Sequence, residues 1–514
     1  MYNNEKNGSS KGVLFLIIFL VLVICILIFL LIKNNLKITK SKDARIEDVA
    51  LYECLVDNGV STSISGKLKK LDGIATLYCS TKYDINNLNG IELLTNLESL
   101  KIDNATDDLS KLSNLTNLKY LNISNTAITG NLSSLSNMTS LKELILYDAT
   151  EVDGNLSSLS NLTNISYLSL HNSSKITGDL SSLSNMTKLT DLNLQGTKIH
   201  GDLNSLSQMN EMSYLNLYNC SNIVGNLSFA NNMKNLKNFI VNSDGVIGDI
   251  SVFSSFNNLT GLDLHDSINI TGNLSSLSNL TNMHNLNLYN ISKISGDLSS
   301  LSNMTELTNL NLSNLANVTG NLSSLERMNE MTSLNLEGIN LNGDLSSLAN
   351  MSEMISLNLY KQKNVTGNLS SLSNMSKITN IVLAGCDVTG NLSSLSNSNQ
   401  IIGLDLQGCD ITGDLSSLEN MTGLLYLDLY NCSGISGNLS SLKNMVSLNT
   451  LNLDLGRNNI IGDISVFNKM YKMKYLNLSN NCVTGNPSVL NSLPNLNSIN
   501  LYNTASNGDN NSCN

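Results

Sequence analysis

Residues 186–208 read MTKLTDLNLQGTKIHGDLNSLSQ, and residues 375–397 read MSKITNIVLAGCDVTGNLSSLSN. Both place an alternating L-x-L or I-x-L core after a Met-led segment, then an apolar residue, a Gly two positions on, and a Leu/Ser run. Alternation of apolar and polar residues over so short a stretch predicts a strand with one buried face. Aligned on that core, Leu121, Leu144, Leu168, Leu192 and Leu215 open successive copies, and the series runs on through Phe239 and Leu262 to Leu476 and Ile499. The spacing is 23 or 24 residues, with one interval of 25. No single copy buries its own apolar face, so the copies must stack into a solenoid.

Each part of the repeat has a local reading. The Gly of Ile128-Thr129-Gly130 or Val388-Thr389-Gly390 permits a backbone bend that a β-carbon would hinder. The Asn or Asp after it (Asn131, Asp202, Asn391) is suited to bond nearby backbone amides. The LSSL run is too Ser-rich for a long helix, which predicts a turn of 3₁₀ helix or extended chain on the return side. Met138, Met186, Met209, Met233, Met304, Met328, Met351, Met375, Met421, Met445 and Met470 open their copies as core filler.

The repeat resembles the leucine-rich repeat, L-x-x-L-x-L-x-x-N/C-x-L. Leu118 to Ile128 fits with Thr126 at the Asn/Cys position, and Ile378 to Val388 fits with Cys386 there. The arrangement is similar to internalin-type repeats of bacterial surface proteins, lengthened by a Gly-containing position. Its G-x-L element also echoes plant receptor repeats, without their following Pro except near Pro487. The resemblance implies an α/β repeat solenoid with a parallel β-sheet on a concave face and short 3₁₀ or extended segments on the convex face. It also implies adhesion or cell-surface recognition.

The 514 residues carry no Trp, two Pro, 14% charged residues and a net charge of −11. That acidity argues against nucleic acid as a partner. Upstream of the repeats, Val13 to Ile32 is an unbroken apolar run, long enough at about 1.5 Å per residue for a membrane-spanning helix of ~30 Å. The organisation read from this is a stub at 1–12, a transmembrane anchor at 13–32 and a basic linker at 33–45. A helical cap with a divergent first repeat follows at 46–93, then leucine-rich repeats at 94–502 and a polar tail at 503–514. Lys33, Lys37, Lys40, Lys42 and Arg45 after the run favour a cytoplasmic C-terminal side by the positive-inside bias. Long domains translocate largely regardless of flanking charge, and the reading adopted is an extracellular repeat domain. The rival is a cytoplasm-facing scaffold or regulator docking a protein partner.

Outward strand positions carry the candidate binding residues. Tyr147, Tyr218, Tyr289, Tyr360, Tyr430 and Tyr502 recur at every third copy, a ladder of amphipathic anchors or a relic of block duplication. Tyr120, Tyr167, Tyr214, Tyr426 and Tyr475 add rings earlier along their strands. Asp405 and Asp428 take one site in adjacent copies and Asp454 lies one copy on, where stacked carboxylates repel and a cation or a partner's Lys or Arg would relieve them. With Gln407, Tyr426, Tyr430 and Tyr475 alongside, this is the prime patch for a protein or glycan ligand, on a face of about eighteen strands spanning roughly 80 Å.

Cys220, Cys386, Cys409 and Cys432 occupy the inward Asn/Cys position and read as a row of buried thiols. Cys54 and Cys79 would bridge the cap only in an oxidising compartment; bridged and free both stay open. His171 and His265 share one outward position four copies apart, too far to hold one ion. With no catalytic or metal motif in the chain, the expectation is a binding protein that is not an enzyme and carries no cofactor and no metal.

Overall fold

The computed structural model describes residues 45–507 apart from 64–66, 70, 457 and 458. The apolar run expected to span a membrane, nearly all of the basic linker and the end of the polar tail lie outside the described residues. Among those described, no helix is long and apolar enough to cross a membrane. The chain divides into two compact parts, one ending at His200 and the other starting at Gly201.

In each part the L-x-L segments form three- or four-residue parallel strands in register. The N-terminal part carries them from Thr76–Cys79 to Asp191–Asn193, with Leu121 opposite Leu144 and Leu144 opposite Leu168. The C-terminal part carries them from Tyr214–Asn216 to Ser498–Asn500, with Leu404 opposite Leu427 and Leu427 opposite Leu451. These leucines are 0% exposed, each contributing roughly 2 kcal/mol through burial. The Met row is buried as well.

The strands stop after three residues for a chemical reason. The outward residue between the two leucines is usually Asn or Asp, and its side-chain oxygen accepts the N–H two positions on. Tyr218 N donates to Asn216 Oδ1 at 3.0 Å, Tyr360 N to Asn358 Oδ1 at 3.0 Å and Ser479 N to Asn477 Oδ1 at 3.1 Å. The residue after that turn is commonly left-handed, and Asn fills the position at 219, 431 and 480 with φ near +55 to +59°, a conformation Asn tolerates better than most residues.

The return side is built by a second capping device. Asn131 Oδ1 accepts from Ser133 N at 2.9 Å and Asp414 Oδ1 from Ser416 N at 2.8 Å, each opening a 3₁₀ turn, Leu132–Leu135 and Leu415–Leu418, whose two leucines are buried. This matches the expected turn and its expected capping residue. Where LSSL gives way to LSFANN and ISVFSS, the turns lengthen to Leu227–Asn232 and Ile250–Ser255. Phe253 of the second turn packs tilted against Phe239 and edge-on to Phe256, with ring centroids 5.4–5.6 Å apart.

The Gly-containing segment is more than a bend. It forms a second parallel strand in each coil, as in Ala127–Asn131, Val152–Asn155 and Ile176–Asp179, paired with its counterparts in neighbouring coils. Gly154 sits in it at φ +125°, and a Cβ there would lie 3.0 Å from both Asn131 Oδ1 and Leu132 N of the preceding coil. Glycine is required by the backbone angle and by the close approach of one coil's capping group to the next.

The first coil is covered by a helix, Val49–Asp57, started by Asp48 Oδ1 accepting from Leu51 N at 2.9 Å. Its Leu51, Tyr52, Cys54 and Leu55 are buried. Cys54 and Cys79 are bridged, Cα to Cα 5.6 Å, so the helix is tied to the first strand. Asn58 finishes that strand's outer edge: Tyr78 N donates to Asn58 Oδ1 at 3.1 Å and Asn58 Nδ2 to Tyr78 O at 3.0 Å.

Candidate ligand-binding face

Three columns of side chains rise from each strand: the first residue, the Asn or Asp between the leucines, and the residue just after the second leucine. The ladder tyrosines belong to the third column, and Tyr147, Tyr218, Tyr289, Tyr360, Tyr430 and Tyr502 are all exposed or half-buried. The rings of Tyr120, Tyr167, Tyr214, Tyr426 and Tyr475 stand in the first column and are likewise accessible. The middle column is largely committed to the backbone turn described above.

In the N-terminal part Tyr147 stacks on His171, centroids 4.7 Å apart and planes within 13°. His171 Nδ1 lies 2.9 Å from Ser169 Oγ, and burial lowers its pKa. In the C-terminal part Tyr218 leans on His265 at 5.3 Å, and His265 Nδ1 meets Asp263 Oδ1 at 2.5 Å, a bond that raises the imidazole pKa. Both histidines thus sit against tyrosines, Tyr147 one coil before His171 and Tyr218 two coils before His265, so column spacing in the sequence points to the first pairing and not to the second.

A hollow of about 320 Å³ opens on the same C-terminal strand face, lined by Asn238, Gly261, Asp263, Asn285, Asn287 and Asn309 among others. Gly261 puts no side chain in the first column there, and the Asn238 amide oxygen occupies the space a Cβ would need. The sequence does not announce it, since an absent side chain at an outward position is not a conspicuous signal.

The acidic patch assembles in part. Asp405 and Asp428 are opposite each other in register. Asp405 Oδ1 accepts from Gln407 N at 3.1 Å, while burial, with the charge of Asp428 a lesser cause, pushes its carboxyl up to about 6. Asp428 is more enclosed than an outward residue was expected to be, 7% exposed. Tyr430 N donates to its Oδ1 at 2.9 Å, Asn452 Nδ2 to its Oδ2 at 3.1 Å and Tyr426 Oη to Oδ2 at 3.4 Å. Burial and both carboxylates raise the Tyr426 pKa, with Tyr360 a further contributor.

Asp454 does not continue the row. Asn452 is the residue opposite Asp428, and Asp454 stands in the third column with Gln407 and Tyr430. Its oxygens accept Ser479 Oγ and Asn480 Nδ2, both at 2.9 Å. Tyr475 pairs with Thr450, two coils from Tyr426. The site thus gathers Tyr360, Asp405, Gln407, Tyr426, Asp428 and Tyr430, leaving Asp454 and Tyr475 beside it and Tyr147 in the other part.

The thiol row has a structural role. Cys386, Cys409 and Cys432 are buried and donate to Leu359 O, Leu383 O and Leu406 O of the preceding coils at 3.0–3.2 Å. Burial raises all three, Cys386 to about 11 and Cys432 to about 12. Cys220 departs from the expectation, being only half-buried. Among the described residues no group of three or more His, Cys, Asp or Glu is placed to hold a metal ion.

With coils, register and capping in view, comparison with known proteins places the architecture. A family described as Zer-1-like leucine-rich repeats matches residues 109–182. The fold is a leucine-rich repeat solenoid. The leucine-rich repeat ectodomain of the Arabidopsis receptor kinase HAESA, in complex with an N-terminally extended IDA peptide hormone, is 20% identical with a TM-score of 0.62, covering 87% of this chain and 88% of that one. The ectodomain of the Arabidopsis thaliana receptor kinase GASSHO1/SCHENGEN3, in complex with CASPARIAN STRIP INTEGRITY FACTOR 2, is 21% identical at a TM-score of 0.54. That match covers 80% of this chain, which spans only 57% of the receptor chain. An internalin from Listeria monocytogenes is 21% identical over 76% of this chain and 98% of its own, at a TM-score of 0.42. No curated protein sequence matches the chain.

Proposed function

We propose that this is a membrane-anchored leucine-rich repeat protein that binds a protein ligand noncovalently on its strand face, outside the membrane, as a recognition or adhesion protein and not as an enzyme. The observation that carries this is the division of labour within each coil. Return-side polar groups are fixed on backbone amides, while the first and third strand columns present rings, amides and carboxylates to solvent. Tyrosines suit such a surface because they give large contact area with a hydrogen-bonding tip. The structurally similar HAESA ectodomain holds a peptide hormone, which favours a protein ligand over a glycan. The Cys54–Cys79 bridge favours the outside, since disulfides persist in oxidising compartments.

The cytoplasm-facing scaffold keeps one observation in its favour, the run of lysines after the apolar segment. Protease treatment of intact cells expressing the full chain separates the two. Loss of the repeat domain from the cells is the expected result; a fully protected domain would place it inside and end the surface-recognition reading.

A further inference from the structure

The residue immediately before each strand forms a column of its own, defined by backbone bonds from coil to coil. Thr379 N donates to Ile355 O, Ile402 N to Thr379 O and Leu425 N to Ile402 O, all at 2.8 Å. Through most of the C-terminal part this column is polar: Lys237, Thr260, His284, Thr308 and Thr332 lead into it, and Asn449 and Lys474 follow. Only within 355–425 does it turn aliphatic, with Ile355, Ile402 and Leu425 exposed by 44%, 38% and 36%. Solvent-facing aliphatic side chains on consecutive or alternate coils, about 4.8 Å apart per step, form a strip with no structural reason to be apolar.

The strip borders the carboxylate pair. Gly403 and Tyr426 directly follow Ile402 and Leu425, and Asp405 and Asp428 stand two residues further along the same two strands. Gly403 puts no side chain beside Tyr426, and the Asn380 amide oxygen stands 2.7 Å from where its Cβ would be. Among the described residues, neither carboxylate has a Lys or Arg within ion-pair distance; the nearby Lys361 lies over the Tyr360 ring at 4.7 Å. An apolar strip next to an uncompensated pair of acids on one open sheet face calls for an occupant of opposite charge and matching hydrophobicity.

We infer that this surface docks an extended protein segment carrying a Lys or Arg side chain close to aliphatic residues, the cation seated at the half-buried Asp405 beside Tyr426 with the enclosed charge of Asp428 behind it, and the aliphatic side chains laid on Ile402 and Leu425. The inference rests on the strand face being a protein-binding surface and names the chemistry of what it binds. The charge contact sets register across the coils, and the strip supplies the area.

The test uses the full-length chain in detergent micelles and a fluorescent peptide, Ser-Gly-Lys-Ser-Leu-Ser-Ile-Gly-Ser, with two controls: Lys replaced by Glu, and Leu and Ile replaced by Ser. Saturable binding of the first peptide, weakened about tenfold in each control, is expected for a partly desolvated charge contact beside an apolar one. Asp405→Asn should weaken the Lys peptide by a similar factor and should not weaken the Glu peptide, whose repulsion it relieves. The double variant Ile402→Ser/Leu425→Ser should weaken the Lys peptide and not the all-Ser control. All four sites are at the surface or half-buried, and thermal unfolding no lower than the parent's in each variant confirms that the loss is local. Equal binding of all three peptides, no binding of any, or binding indifferent to both variants overturns the inference. The broader reading is scored separately with a partner cross-linked on cells: capture lost with Tyr426→Ala but retained with Ile402→Ser/Leu425→Ser leaves strand-face recognition standing and removes this occupant. Capture insensitive to every face variant removes both.

Discussion

The strand face and the return side of each coil are made from the same polar alphabet, yet they use it in opposite ways. On the return side LSSL recurs at 156–159, 274–277, 369–372 and 439–442, and the Asn or Asp before it is bound to the same backbone amide each time. In the third strand column the residue changes from coil to coil: Tyr147, His171, Gln195, Tyr218, Glu337, Tyr360, Gln407, Tyr430, Asp454 and Ser479. Where a side chain is required to satisfy its own backbone, the repeat holds it constant. Where the backbone makes no demand, the residue drifts or is put to use. The comparison also narrows the binding face, because the middle strand column behaves like the return side: Asn216, Asn358, Asp428 and Asn477 are capping groups first.

The most disruptive way to test the division is to move a charge from the free columns to the core. Leu404→Asp places a carboxylate at a site that is 0% exposed between Ile381 and Leu427. An unpaired buried charge costs several kcal/mol or more, so the variant should lose cooperative unfolding and strand circular dichroism around those coils. A variant that unfolds like the parent would mean that the inward and outward registers have been assigned the wrong way round.

A finer break uses two polar residues from adjoining coils. Asn391 caps the 3₁₀ turn through Ser393 N at 2.9 Å, and Gln407 is exposed in the third column. Asn391→Ala should cost about 1 kcal/mol, the usual loss for an N-cap, while Gln407→Ala should stay within about 0.5 kcal/mol. Chemical denaturation of the two single variants decides it. Equal costs would erase the claimed difference between a structural and a free polar position.

How far the sequence could carry this depends on which physical effect sets each feature. Leu121, Met186 and Leu404 were legible as core because period and alternation report burial directly. The outward tyrosines followed from the same alternation, and the Asn131 and Asp202 caps from their chemistry beside a Ser-rich turn. The second strand of each coil was not legible: in Val152–Asn155 a single apolar residue precedes a Gly, and its pairing comes from coils stacking, not from alternation within the segment. The site was read with its columns blurred. Asp454 shares a coil position with Tyr430 and not with Asp428, a two-residue offset that matters only once register is known. Asp428 is enclosed because Tyr426 and Asn452 close over it, which no local pattern encodes. The hollow at Gly261 and the aliphatic strip at Ile402 and Leu425 depend on coil-to-coil neighbours in the same way.

The smallest effect tests Asp405, a middle-column carboxylate whose ionisation the fold resists. Asp405 titrates in the folded chain at about 6, against roughly 3.9 for an unfolded aspartate. The folded state therefore holds the proton more tightly than the unfolded state does. Below about pH 4 both are protonated and the group contributes no difference. Between about pH 4 and 6 the unfolded chain ionises first, and stability falls as pH rises; above about 6 the penalty is constant. Asp405→Asn removes the ionisation and keeps an acceptor for Gln407 N, so its stability relative to the parent should grow from pH 4 to 6 and then level off. Partial solvation holds the gain to at most about 1 kcal/mol. Urea midpoints for both proteins across that range give the answer. A difference that stays flat, or that shrinks with rising pH, would mean Asp405 is solvated like the exposed Asp410 of the same coil, and that the strand face there offers a partner's cation no partly desolvated carboxylate.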